Sequence, residues 1–200
     1  MVQCYSRLLI IPAIFFLYVS SIANDQVDKI ISELSLKEKI GQMILVYNSP
    51  LEFLKKYNIG GVLIMQNMLK NPPALKKKLD IVQKKIRIPL IVSIDQEGGT
   101  VNRLSYMPEW KKTPSAEIIS QWPEDSIIRY YEKVAHALLK IGINLNLAPV
   151  LDPAKNYAEN QTYIAIKKRA YGTSVNEILP PAQSFIKAFS KKNIGCIVKH

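Results

Sequence analysis

The chain has little cysteine, no glycine-rich phosphate loop and no long apolar run after its first 23 residues. Only Cys4 and Cys196 occur among its 200 residues. If Cys4 leaves with a leader, Cys196 has no partner for an internal disulfide. Cys196 lies in the apolar run GCIV and is expected as a small core residue. Cys4 precedes the apolar stretch of the leader, which is the wrong setting for lipid attachment. No GxGxxG follows an expected strand, so the dinucleotide-binding signature is missing. No later segment approaches the ~20 apolar residues of a spanning helix, so no membrane span is expected after leader removal. Neither an internal repeat nor a low-complexity linker is present. With 48% hydrophobic and 22% charged residues, the composition excludes a disordered chain and fits one domain with a real core.

Residues 1–23 read as a secretory signal peptide, with a retained membrane anchor as the alternative; the apolar stretch is shorter than the ~20 residues a spanning helix needs. Arg7 supplies the positive n-region, LLIIPAIFFLYV the apolar stretch, and Ser21-Ile22-Ala23 the small residues before a cleavage site. The mature chain is then 24–200, exported to a periplasm or secreted. Removing Arg7 takes the formal charge from +11 to +10. The densest basic cluster, KKKLDIVQKKIR, falls on a helix whose Leu75, Leu79, Val82 and Ile86 form one apolar stripe. Its lysines are therefore the solvated face. No aromatic residues interleave with them as a single-strand binding groove requires, and no nucleic-acid partner is expected.

Apolar strands alternate with amphipathic helices along the rest of the chain. Ser35-Leu36-Lys37-Glu38 reads as a capping box. Strands are expected at 43–46, 60–65, 89–95, 143–150 and 195–200, and helices at 51–57 and 73–86. A further helix, carrying Ile127, Ile128, Tyr131, Val134, Ala135 and Leu138, ends at Gly142. Pro180 is expected in the first turn of a last helix that carries Phe185, Ile186 and Phe189. This alternation predicts a parallel sheet covered by helices, as a doubly wound sheet or a (β/α)8 barrel. In both, ligands meet the loops at the C-terminal ends of the strands.

Those ends carry polar groups in three consecutive strands: Asp95 in SIDQEGGTVNRL, Asp152 in PVLDP, and Lys199-His200. One acid after a strand is ordinary capping; the recurrence points to a site. Gly98 and Gly99 then serve either a turn or a close approach of backbone to a ligand. His136 falls on the polar side of its helix. Trp110 and Trp122 could stack on a ring, but no periodicity places them.

SIDQEGGTVNRL, GINLNLAPVLD, RAYG and the final IVKH, in this order, resemble glycoside hydrolase family 3, in its β-N-acetylglucosaminidase branch. SLKEKIGQM and IGGVLI fit the same family, and the likeness covers residues 27–200. It implies a TIM (β/α)8-barrel, of which these residues would form about the first five β/α units. The implied activity is hydrolysis of terminal β-linked N-acetylglucosamine from peptidoglycan fragments or related amino-sugar glycans, with neither cofactor nor metal. The resemblance maps sugar binding onto Asp95, Arg103, Arg169, Lys199 and His200. A ring of hydroxyls needs carboxylate acceptors and cationic donors together, which is what these side chains offer.

The chain departs from the family pattern mildly at Thr100, where arginine is common, and at Tyr171, where phenylalanine is. The larger departure concerns the chemistry: the family's acid/base histidine and aspartate and its nucleophilic aspartate would fall beyond residue 200. A retaining glycosidase needs both, so the 200-residue segment is expected to be inactive alone. A non-catalytic sugar- or peptidoglycan-binding module and a β-glucosidase of the same superfamily are the alternatives.

Overall fold

The computed structural model describes residues 26–47, 49–154, 156–157, 160–161 and 168–200; the expected leader lies outside them. Five strands, β1 (Leu45–Tyr47), β2 (Gly61–Ile64), β3 (Ile91–Ile94), β4 (Leu145–Asn146) and β5 (Gly195–Cys196), form one sheet in sequential order. All four pairings are parallel. The helices are α1 (26–33), α2 (Leu36–Gln42), α3 (Leu51–Lys56), α4 (Pro72–Lys85), α5 (Ala116–Ile119), α6 (Glu124–Ile141) and α7 (Val175–Ser190). Sequential parallel order with a helix between each pair of strands is the repeating unit of a (β/α) barrel, not the reversing order of a doubly wound sheet.

Local chemistry explains most boundaries. Ser35 and Glu38 form the expected capping box of α2. Asn71 caps α4 by accepting from Ala74 N–H at 3.1 Å, and the stripe Leu75, Leu79 and Val82 is buried while the lysines stay outside. α6 ends at Gly142, whose φ of 93° lies in the left-handed region; its N–H returns to the carbonyls of Leu138 and Leu139. Strand residues Val62, Ile64, Val92 and Ile94 are fully buried on one face. They share a core with Leu79, Leu138, Phe185 and Phe189 of the covering helices. Phe185 and Phe189 stack at 4.3 Å, and Tyr131 meets Phe185 edge-on at 4.5 Å. Each such buried ring or branched chain stabilises the fold by about 1.5–3 kcal/mol.

Three expectations need correction. The last helix begins at Val175, after an N-cap Ser174 paired with Glu177, so Pro180 and Pro181 lie in its second turn and not its first. They remove two backbone donors there, and Ser184 Oγ donates to Pro180 O at 3.0 Å. The fourth strand, expected over 143–150, keeps ladder pairing only at Leu145–Asn146. Asn144 and Asn146 turn their side-chain amides onto the backbone of the preceding strand and its loop, and Pro149 has no N–H to offer. The fifth strand, expected over 195–200, is a ladder only at Gly195–Cys196, followed by an isolated bridge between Val150 and Lys199. Cys196 is free, half-buried and packed against the core; burial pushes its thiol up to about 11.

Candidate functional site

The loop after β3 is built before it is charged. Asn146 Oδ1 accepts from Gln96 N–H at 2.9 Å, and Asn146 Nδ2 donates to Gln96 O at 2.9 Å. The Gln96 side chain, buried in turn, accepts from the N–H groups of Arg103 (2.7 Å) and Leu104 (3.2 Å). One amide thus clamps the start of the loop to its end. Between them, Glu97 and Gly98 both donate to Val101 O at 3.1 Å. Gly98 and Gly99 take φ of 106° and 56°, which only glycine adopts freely. A Cβ on Gly98 would stand 2.6 Å from Pro114 O, and one on Gly99 2.9 Å from Ser115 Cβ. The space beside both glycines is therefore filled by the Pro114–Ser115 backbone, and the turn explains them without a ligand.

On this loop sits a chain of alternating charge. Arg103 Nη2 reaches Asp95 Oδ2 at 3.2 Å, and Lys199 Nζ reaches Asp95 Oδ1 at 2.5 Å. The same Nζ lies 2.6 Å from Glu97 Oε1. Arg169 closes the chain with a two-pronged pair, Nε to Glu97 Oε2 and Nη2 to Glu97 Oε1, both 2.8 Å. Side-chain exposure falls from 23% at Asp95 and Arg103 to 17% at Lys199, 11% at Arg169 and 7% at Glu97. The array thus runs from a half-open end into the interior. Arg103 Nε is buried with no hydrogen-bond partner among the described residues.

Of the five residues expected in the site, Asp95, Arg103, Arg169 and Lys199 come together. His200 stands apart: its Nδ1 lies 2.6 Å from Asp152 Oδ2 and its N–H donates to the same oxygen at 3.1 Å. This second pair, 52% and 32% exposed, is tied to the array through Lys199, whose backbone bonds Pro149 and Leu151. Glu97 was not among the expected residues. Its signal was the acid two positions after Asp95, but nothing local announces a partner 72 residues away.

Burial pushes the Glu97 carboxyl up. The hydrogen bonds from Arg169 and Lys199 and their charges outweigh that and hold it below its ordinary value. It is therefore an ionised acceptor, shifted away from the raised range a general acid needs. A cavity of about 470 Å3 adjoins Arg103, walled by Tyr47, Met65, Gln66, Asn67, Met68 and Tyr106. A larger groove of about 980 Å3 lies between α4 and α6, rimmed by lysines such as Lys76 and Lys140. It belongs to the outer helical layer, and no member of the ion array lines it. His136 is exposed on that groove as expected. Trp110 and Trp122 pack edge-on against Tyr130 at 6.3 and 5.5 Å, as part of the core margin and outside the array.

The glycosyl hydrolase family 3 N-terminal domain matches residues 35–200. The chain belongs to this family. Beta-hexosaminidase A of Pseudoalteromonas piscicida is 30% identical over 158 residues, covering 74% of the chain and 26% of that protein. The family 3 beta-N-acetylglucosaminidase of Paenibacillus sp. str. FPU-7 superposes with a TM-score of 0.72 at 25% identity, over 84% of this chain and 33% of that one. The beta-N-acetylhexosaminidase of Beutenbergia cavernae has the same fold, with a TM-score of 0.71 at 23% identity over 84% and 54% of the two chains. The chain thus spans between about a quarter and about half the length of these family 3 relatives. Its five strands have the TIM-barrel-type fold of that family.

Proposed function

We propose that this chain provides the sugar-holding part of an exported β-N-acetylhexosaminidase that removes terminal β-linked N-acetylglucosamine from peptidoglycan fragments or related amino-sugar glycans. The observation that carries the reading is Asp95 at the end of β3, held between Arg103 and Lys199, with Arg103 Nε left unpartnered among the described residues. A sugar hydroxyl can donate to the carboxylate while accepting from a neighbouring cation, and the idle Nε is a donor in reserve. Arg169 and His200 complete the proposed binding set from the deep end and the rim. Export is proposed from the leader at 1–23.

The nucleophile and the acid/base are proposed to come from outside these 200 residues. Asp95 and Glu97 are both clamped by cations, and Glu97 is shifted down. Glu97 is thus not poised to donate a proton to a leaving group, and both Asp95 oxygens are already engaged by cations. The same observation favours the second reading, a module that binds the sugar without cleaving it. Assay of a chromogenic N-acetyl-β-glucosaminide and the matching β-glucoside separates the readings. Hydrolysis of the first by the full-length protein, with none by the 200-residue chain, supports the proposal. Preference for the β-glucoside, or turnover by the 200-residue chain alone, contradicts it.

A further inference from the structure

We infer that Glu97, which lies outside the proposed binding set, is the positioning residue that holds Lys199 and Arg169 ready for the ligand. The inference rests on the sugar-binding reading above. Its basis is a shared atom. Lys199 Nζ at 2.6 Å and Arg169 Nη2 at 2.8 Å both converge on Glu97 Oε1, while Arg169 Nε takes Oε2 at 2.8 Å. Two cations approach one point this closely only with an anion between them. At 7% exposure that anion is desolvated and feels both strongly.

Without the Glu97 charge, the array members named here are three cations, Arg103, Lys199 and Arg169, and one anion, Asp95. Lys199 and Arg169 then repel each other, and Arg169 loses the bidentate acceptor that fixes its plane. Lys199 keeps only Asp95, the carboxylate proposed to accept sugar hydroxyls. A ligand that takes Asp95 would then release the lysine as well, and its four-carbon stem would be free to leave. With Glu97 present, Lys199 stays anchored when the ligand competes for Asp95, and the N–H it had given to Asp95 can turn to the ligand. Glu97 thus meets the ordering cost of the donors before binding. Its carboxylate bonds the side chains that do the holding, so its role is positioning.

The competing account is a plain staple, in which Glu97 and Arg169 merely tie the loop after β3 to the segment at 168–173. Titration of N-acetylglucosamine into full-length protein decides between them. Four forms are compared: wild type, Glu97→Gln, Lys199→Met and the double variant, each with its melting temperature. Positioning predicts that Glu97→Gln weakens binding at least about tenfold in the wild-type background and clearly less in the Lys199→Met background, because the group it positions is already gone. A staple predicts the same loss in both backgrounds. Should E97Q unfold, E97D keeps the charge but withdraws it by one methylene and carries the same pair of expectations. If wild type fails to bind N-acetylglucosamine, the sugar reading falls and the inference with it. If wild type binds and Glu97→Gln binds equally well, the inference alone is overturned.

Discussion

Asn146 exchanges two 2.9 Å hydrogen bonds with the backbone of Gln96, one in each direction. A side-chain amide there stands in for the next rung of the parallel ladder, where β4 has stopped pairing. It also fixes the direction of the Asp95–Glu97 loop. Asn146→Leu would keep the volume and strand the buried N–H and C=O of Gln96, costing about 1–3 kcal/mol for each. Urea unfolding should therefore show a lowered midpoint at an unchanged slope.

Gly98→Ala tests the turn itself. Its φ of 106° and the Pro114 carbonyl 2.6 Å from a would-be Cβ leave no room and no comfortable backbone. A loss of about 1–3 kcal/mol is expected, checked by thermal unfolding. An Ala variant as stable as wild type would show that the turn can take another path.

How far the sequence reveals this molecule differs by element. The number and order of the five strands, the basic helix α4 and the stop at Gly142 were legible because each rests on local periodicity or a single residue's backbone preference, whereas the ladder lengths of β4 and β5 were not. Ser174 and Glu177 form the cap that starts α7, but Pro180 offered a competing N-terminal signal. The short helices between Arg103 and Ser120 carry no periodic signal and follow from tertiary contacts such as Asn102 Nδ2 to Trp110 O at 2.7 Å. In the site, Asp95 and Lys199 could be placed at strand ends from order alone. The link through Glu97 to Arg169 could not, because only folding brings those residues together.

The Glu97 pairing should also mark the acid limb of stability. Its carboxyl is held below the ordinary value of 4.5, so the folded state binds its proton less readily than the unfolded chain. The stabilisation is fully present above that value and is lost as pH falls through the folded one. The melting-temperature gap between wild type and Glu97→Gln should therefore be widest at neutral pH and close in acid. Glu38, Glu132 and Glu177, also shifted down, are common to both proteins and cancel in the difference. A gap that is constant with pH would show that the charge of Glu97 is not what stabilises.

Arg103 and Trp110 make a contrasting pair. Arg103→Ala removes a proposed ligand donor and should weaken N-acetylglucosamine binding by roughly 1.5–3 kcal/mol, the scale of a hydrogen bond to a charged group. Trp110→Ala removes a ring packed on Tyr130 and should lower stability while leaving affinity in the surviving folded protein unchanged. Calorimetric titration of both variants reads the two effects separately.

The most direct test of the sugar-holding reading is the affinity of the full-length protein for N-acetylglucosamine, wild type against Asp95→Asn. The substitution keeps the shape of the side chain and removes the charge that Arg103 and Lys199 share. Saturable binding by wild type, weakened about tenfold or more in Asp95→Asn, is the predicted result. Absent binding by wild type, or equal binding by both, would contradict the account.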